Sequence, residues 1–390
     1  MRKIRDFFRL PFFSDYRTIA ILWGVLAVVA AITKGGLDVH LNNFIIFRQV
    51  FWHMVDFKSL YAYYPEEYSD HNLYGPLFGV NIAPYALMPK FIALVCWLLS
   101  LCAVLYAAIL RMPLSKKAKI FILWYVSNEV LGALFMAQFN IVIAALIIAS
   151  YTAIDRDKNG WAAMFIMFGA MTKLYGILGL AFLPFSKHKI RLAGYCIIWG
   201  AVFFVLPMLL SSPGYIISQY SEWFTTLVDK NALNENAIYQ NISFIGMTHR
   251  ISGAQFNDIW ILIPAALLFL LPSYRLTQYG NKGFQWALVA SVLMVIILFS
   301  TGSESSGYVI AISGVAIWYV TAPWKRSTTD VVLLIVALVI SSFGHSDLMP
   351  KIIRNGLIKP YALKALPITI IWLKLIWEMC TRDYKVLDKK

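Results

Sequence analysis

Ten or more apolar segments in this 390-residue chain are joined by loops that alternate between basic and nearly neutral, and that alternation constrains the fold more than any motif. Segments 1–17, 111–119, 155–160, 185–191, 273–283, 324–330 and 381–390 hold 22 Lys and Arg against 7 acids. All other residues hold 12 Lys and Arg against 13 acids, so the net charge of +14 resides in one set of loops. Insertion retains Lys and Arg loops in the cytoplasm, so the pattern is that of a polytopic membrane protein. The charge therefore sets orientation and gives no reason to invoke a nucleic-acid partner. A chain that is 60% hydrophobic and 14% charged cannot cover a water-facing surface, which leaves lipid as its main solvent. Cys96, Cys102, Cys196 and Cys380 lie in or beside apolar runs at spacings that suit neither a metal site nor a disulfide framework.

The basic, aromatic N-terminus precedes a first outward span at 18–33, read as a retained signal anchor. Residues 34–89 form an external loop in which Phe44, Phe47, Phe51 and Val55 recur at helical spacing opposite Arg48, the pattern of an interfacial helix. The stretch 73–89 is apolar but interrupted by Pro76, Pro84 and Pro89, and is expected to be half-inserted. Spans follow at 91–110, 118–136 and 139–154. Next comes an apolar piece, WAAMFIMFGAMTKLYGILGLAFLPF, with Lys or Arg on both flanks. A single crossing would put one basic flank outside, whereas two short helices meeting near Lys173 satisfy the charge rule, so a reentrant hairpin is expected. Later spans are read at 192–210, 260–271, 286–300, 308–322, 331–343 and 365–379, with a second external loop at 211–258. The expected fold is an all-α polytopic membrane protein of about ten full spans plus the hairpin and external loop helices. Both termini are cytoplasmic in this reading, and no internal repeat or soluble domain is visible.

Polar residues in such a chain single themselves out. An ammonium flanked by apolar residues costs roughly 2.5–3.5 kcal/mol on insertion scales unless it meets an anion or water. Lys173 is thus a candidate phosphate ligand, or a lysine that snorkels or pairs with Glu129. Gln138 and Asn140 put two amides at one external turn, where they suit sugar hydroxyls or cap the turn. In the second external loop, NISFIGMTHR gathers Asn241, His249 and Arg250. Arg250 is suited to clamp a phosphate, or to lie under lipid headgroups. Asn43, Arg48 and Tyr74 complete the sugar- or acceptor-binding candidates. Asp38, Asp56, Glu66, Glu67, Asp70 and Glu304 are external acids, any of them a solvated loop residue or the base that an acceptor hydroxyl needs. Asp38, Glu67, Asp70 and Glu304 are carried forward as base candidates.

Taken in order, the segments NNFIIFRQVF with Leu60 and Tyr61, YGPLFGVNIAPYALMP, AQFN, the hairpin with TKLYG, and NISFIGMTHR resemble the glycosyltransferases of family 87, once domain of unknown function 2029. These belong to the C-type, polyprenyl-phosphate-sugar-dependent superfamily. The likeness covers residues 18 to about 323 as a glycosyltransferase core, within a single integral membrane domain completed by C-terminal spans and a tail at 324–390. It implies inverting transfer of a hexose or pentose from a polyprenyl-phosphate donor to a lipid-linked or cell-surface glycan acceptor, as in cell-envelope polysaccharide synthesis. The active site would face the periplasm or exterior of the plasma (inner) membrane, with no metal and no cofactor. Lys173 and Arg250 would hold the donor phosphate, while Gln138, Asn140 and Asn241 would position sugars. One departure stands out: where the family carries an aspartate after the first span, the register Asn43-Phe44-Ile45-Ile46-Phe47 has an amide. An amide cannot accept a proton at neutral pH, so one of the other acids must serve. A transporter or flippase of lipid-linked sugars, or a polysaccharide polymerase or ligase, would also need many spans and buried charge. Transporters favour repeat-related halves, and polymerases several external arginines, of which this chain has Arg48, Arg250 and Arg354.

Overall fold

The computed structural model describes residues 10–36, 38–234, 240–254 and 256–385. Among these the chain is helical without strands, as the apolar runs and scarce turn signals predict. The principal helices are α1 (Tyr16–Ala30), α2 (Asn42–Val55), α3 (Leu77–Ala86), α4 (Lys90–Arg111), α5 (Lys116–Phe135), α6 (Asn140–Asp155), α7 (Asn159–Thr172), α8 (Lys189–Val205), α9 (Pro213–Asn234), α10 (Phe244–Ser252), α11 (Ile259–Leu270), α12 (Lys282–Leu298), α13 (Tyr308–Thr321), α14 (Thr328–Val336) and α15 (Ala365–Thr381). Five helical stretches are long and apolar enough to cross a bilayer: Tyr16–Gly35, Lys90–Arg111, Lys116–Phe135, Lys189–Leu209 and Thr328–His345. Shorter apolar helices accompany them.

Helices apolar on every side need apolar surroundings on every side, and here they find two kinds. α6, α12 and α13 are buried almost throughout, forming the centre. α8 buries only Leu192, Cys196 and Phe203, and it turns Ile190 and Ile197 outward at 90% and 75% exposure, a surface fit for lipid.

Contacts sort the loops into the two sets that the charge pattern separates. On the basic side Arg156 donates to the Arg111 carbonyl at 2.5 Å, Lys282 pairs with Asp155, and Gln278 donates to Asp383 at 3.1 Å. On the other side Asn43 donates to the Met136 carbonyl at 2.9 Å, and the Ile242 amide to the Ser303 carbonyl at 2.8 Å.

The expected hairpin is present. Ser186 donates to Asn159 at 2.8 Å, Ile166 lies against Gly179, and Gly169 against Gly176, three pairs sharing one midpoint beside Lys173. Helical dihedrals stop at Lys173, whose φ of −152° and ψ of 91° are extended. A Cβ on Gly176 would collide with the Gly169 backbone, so glycine permits the close crossing. The returning arm, Leu174–Phe185, is a 3₁₀ rather than an α-helix. Its buried residues, Gly176, Gly179 and Phe182, recur every third position, and a three-residue turn stacks them on one face. α7 has 14 residues, about 21 Å of rise, less than the roughly 30 Å of bilayer hydrocarbon. Around the hairpin, α2 buries Phe44, Phe47 and Phe51 and packs on α3, where Phe47 meets Phe78 at 4.9 Å; α3 is a packed helix despite Pro84.

Candidate functional site

The turn between α5 and α6 is the first part of the site. Ala137 holds φ at +50°, a left-handed conformation uncommon outside glycine, and two side chains fix the peptides around it. Asn43 of α2 donates to the Met136 carbonyl at 2.9 Å, and Trp97 of α4 to the Ala137 carbonyl at 3.0 Å. Asn43 therefore serves as a donor, which a carboxylate in its place could not. Gln138 is 7% exposed and Asn140 4%, so both amides are held inside.

The hairpin tip meets that turn. Lys173 Nζ donates to Asn140 Oδ1 at 2.8 Å and to Tyr74 Oη at 3.4 Å, with the rings of Tyr74 and Tyr175 at 5.1 and 5.3 Å. Tyr74 is brought there by the chain before α3, where the Gly75 amide donates to the Thr172 carbonyl at 3.0 Å. Tyr74 Oη in turn donates to Gln138 Oε1 at 3.2 Å, and Gln138 Nε2 to Glu304 Oε2 at 3.3 Å. Glu304 lies in the loop between α12 and α13 and also accepts from Ser306 Oγ at 3.4 Å. One polar chain thus runs from ammonium to carboxylate through an amide and a phenol. Burial raises the pKa of Glu304, and the Lys173 charge opposes that rise. Asp70, whose Oδ1 lies 3.0 Å from Lys230 Nζ, adds its field to Glu304.

Beside Lys173 opens a cavity of about 730 Å³, a volume typical of small-molecule sites. Leu178, Ile245, Leu262, Val295 and Phe299 make part of its wall apolar, Asn257, Asp258, Ser300 and Thr301 make part of it polar, and Tyr175, whose ring lies 5.3 Å from Lys173 Nζ, joins Ser300 at 2.8 Å.

Of the residues singled out in the sequence, Lys173, Tyr74, Gln138, Asn140 and Glu304 come together, with Asp70 at the edge and Asn43 behind the turn. Asn241 is close by sequence to Ile242, which bonds the Ser303 carbonyl; its Oδ1 accepts from Ser243 at 2.6 Å, and its Nδ2 is buried without a hydrogen-bond partner. Most of the others lie away from this polar chain. Arg48 donates to the carbonyls of Tyr85, Ala86 and Met88, closing the end of α3. Glu67 lies 2.9 Å from His53, and Asp38 and Glu66 are exposed. His249 meets Asp258 at 2.7 Å and stacks on Phe256, two residues that line the cavity, so it stands behind the cavity wall. Arg250 donates to the carbonyls of Gln240 and Lys359, and is not brought against Lys173 by any contact among the described residues. Glu129 pairs with Lys364 at 3.4 Å, which removes it as the partner of Lys173. Sequence reasoning missed Tyr175, Ser300, Ser306 and Lys230. It also missed Lys364, the partner of Glu129, which alone of these five carried a signal, as a lysine between apolar residues of the kind that marked Lys173. Among the described residues no group of three or more His, Cys, Asp or Glu is placed to hold a metal ion.

Residues 72–301 match the model of a family described as glycosyltransferase family 87, a narrower stretch than the 18–323 expected from the motifs. No curated protein and no solved structure matches the chain.

Proposed function

The chain belongs to glycosyltransferase family 87, and on that premise we propose that this membrane glycosyltransferase takes a hexose or pentose from a polyprenyl-phosphate donor and passes it to a lipid-linked or cell-surface glycan. The polar chain from Lys173 to Glu304, linked through the Tyr175 ring to a cavity of mixed apolar and polar lining, carries this reading. The cavity takes the first isoprene units, and the Lys173 ammonium meets the phosphate that links lipid to sugar. Gln138, Asn140 and Tyr74 fix sugar hydroxyls, with Asn241 beside them. Glu304 is the base.

In the step itself, the acceptor hydroxyl gives its proton to the Glu304 carboxylate while its oxygen attacks the anomeric carbon. The bond from that carbon to the phosphate oxygen breaks, and its electron pair leaves on polyprenyl phosphate. One displacement inverts the anomeric centre. Lys173 stabilises the charge growing on the departing phosphate, where a preorganised cation is worth most. The site lies on the face opposite the basic loops, and the charge rule then assigns it to the periplasm or exterior of the plasma membrane with both termini cytoplasmic.

Transfer of radiolabelled sugar from a polyprenyl-phosphate monosaccharide by the protein in liposomes tests the reading. Lys173→Ala and Glu304→Gln are expected to lose most activity; wild-type rates in both would remove the assignment.

A further inference from the structure

The loop between α12 and α13 carries Glu304, and contacts from other parts of the chain hold it. The Ile242 amide donates to the Ser303 carbonyl at 2.8 Å, and Tyr308 Oη to the Ile242 carbonyl at 2.8 Å, so the chain before α10 fixes both sides of the loop. Gln138 meets Glu304 itself at 3.3 Å. Between these points the loop is gripped by Lys364, which directly precedes α15. Its Nζ donates to Ser305 Oγ at 2.9 Å, to the Ser305 carbonyl at 3.4 Å and to Glu129 Oε1 of α5 at 3.4 Å, with the Tyr308 ring centre 4.4 Å away. An ammonium has three N–H groups, and here it meets three acceptor atoms.

Lys364 is itself fixed from behind. It and Glu129 are both buried. Ser341 Oγ donates to the Lys364 carbonyl at 2.7 Å, and Asn128, the neighbour of Glu129, donates to the Ser342 carbonyl at 3.0 Å. Stability alone does not account for such a pair, because taking both charges out of water costs about what their attraction returns, and apolar side chains of similar volume are often as stable. Apolar side chains cannot, however, bind a carbonyl and a hydroxyl of one residue together, which is what Lys364 does to Ser305. Ser305 directly follows Glu304, and misplacing a reacting group by about 1 Å costs about 10²-fold in rate.

We propose that Lys364 is a positioning residue for glycosyl transfer: it clamps Ser305 and so keeps the Glu304 carboxylate at the end of the polar chain that starts at Lys173. The catalytic consequence rests on Glu304 being the base, as read above, whereas the clamp does not. Lys364 lies well beyond the matched stretch 72–301, so family membership assigns it no role. Through it the segment that follows α13 becomes part of the frame of the site.

Two measurements on the full-length protein test this: transfer of radiolabelled sugar from a polyprenyl-phosphate monosaccharide in liposomes, and hydrogen exchange of the loop amides in nanodiscs, which needs no turnover. Lys364→Met alone would strand Glu129, so the main variant is Lys364→Met with Glu129→Leu. It is expected to unfold no earlier than the wild type. Its loop amides should exchange about tenfold faster. Its kcat should fall by about 10–10²-fold, with donor KM changed less than about twofold. Ser305→Ala leaves the ion pair intact and should show the same two changes at about threefold, and Ser305→Thr, which keeps the hydroxyl, should restore both. In a Glu304→Gln background the paired Lys364 and Glu129 changes should cost no further rate, because both act through one group. Losses that multiply in that background, or wild-type kcat in Ser305→Ala, overturn the positioning role. Should the charge-free variant fail to fold, Ser305→Ala and Ser305→Thr decide the matter alone. A wild-type rate in Glu304→Gln would remove the base rather than the clamp, and unchanged loop exchange in Ser305→Ala would remove the clamp.

Discussion

At the basic-loop end of the molecule Arg326, Asp330, Lys374 and Glu378 stand within 3.1–3.9 Å of one another, two cations against two acids, while at the opposite end Lys173 and Glu304 are joined only through Tyr74 and Gln138. Both groups are at least partly buried, so the contrast is one of pairing. The first set is closed: Arg326 also stacks on Trp318 at 4.2 Å, Trp318 donates to Glu378 at 2.9 Å, and a capping box at Ser327 holds Asp330. Such a network ties α13, α14 and α15 together. The second set leaves the ammonium on neutral partners, an amide oxygen and two ring faces, which hold it without cancelling its charge. A cation and an acid kept apart in a polar chain remain available to a substrate; a cation and an acid in contact have already neutralised each other.

If that contrast is right, Glu304→Gln should have the largest effect. The amide keeps the shape and loses the base, so kcat is expected to fall about 10²–10⁴-fold with donor KM little changed. Lys173→Met should follow, with kcat/KM down by about 10²–10³-fold. Its pH profile gives a sharper test. Glu304 accepts a proton only as carboxylate, so activity falls as pH drops through its raised pKa, and the acid limb lies above the ordinary carboxylate range. Lys173 holds that pKa down, so removing it should move the limb to still higher pH. Acid limbs that coincide in Lys173→Met and wild type would break the electrostatic link between them.

Arg326→Ala probes the closed set. Glu378 and Asp330 would be left buried with only Lys374, a loss of about 3–5 kcal/mol when one partner of a buried pair is removed. Thermal unfolding in detergent should show it, while the folded fraction turns over within about twofold of wild type. A kcat loss in folded Arg326→Ala equal to that of Lys173→Met would erase the distinction.

The same distinction explains what the sequence could reveal. Apolar runs and loop charge disclosed the helices and the hairpin, because both follow from local composition and the insertion rule. Lys173, Gln138 and Asn140 announced themselves as polar residues where few are tolerated. Which acid joins them was hidden, since Gln138 and Glu304 lie 166 residues apart and no local pattern records that contact. Arg48 shows the converse: residue type alone does not tell whether a side chain closes a helix end, as this one does, or joins the polar chain at Lys173. Lys364 was legible by the rule that found Lys173, but its partner Glu129 is 235 residues away.

The smallest expected effect is also the most discriminating for the departure at Asn43. Its amide donates to the Met136 carbonyl and so steadies the turn whose next residue but one is Gln138. An aspartate there keeps the size, restores the acid in the expected register and exchanges the donor for a charge facing a carbonyl oxygen. If Asn43 is a clamp and Glu304 the base, Asn43→Asp should cost about 1–3 kcal/mol of stability, measured by thermal unfolding, with a modest loss of kcat from a loosened Gln138. The Asn43→Asp, Glu304→Gln double variant should then be as inactive as Glu304→Gln alone. Recovery of transfer in that double variant would show that the turn accepts a base from α2, and that position 43 and position 304 are alternative places for one function.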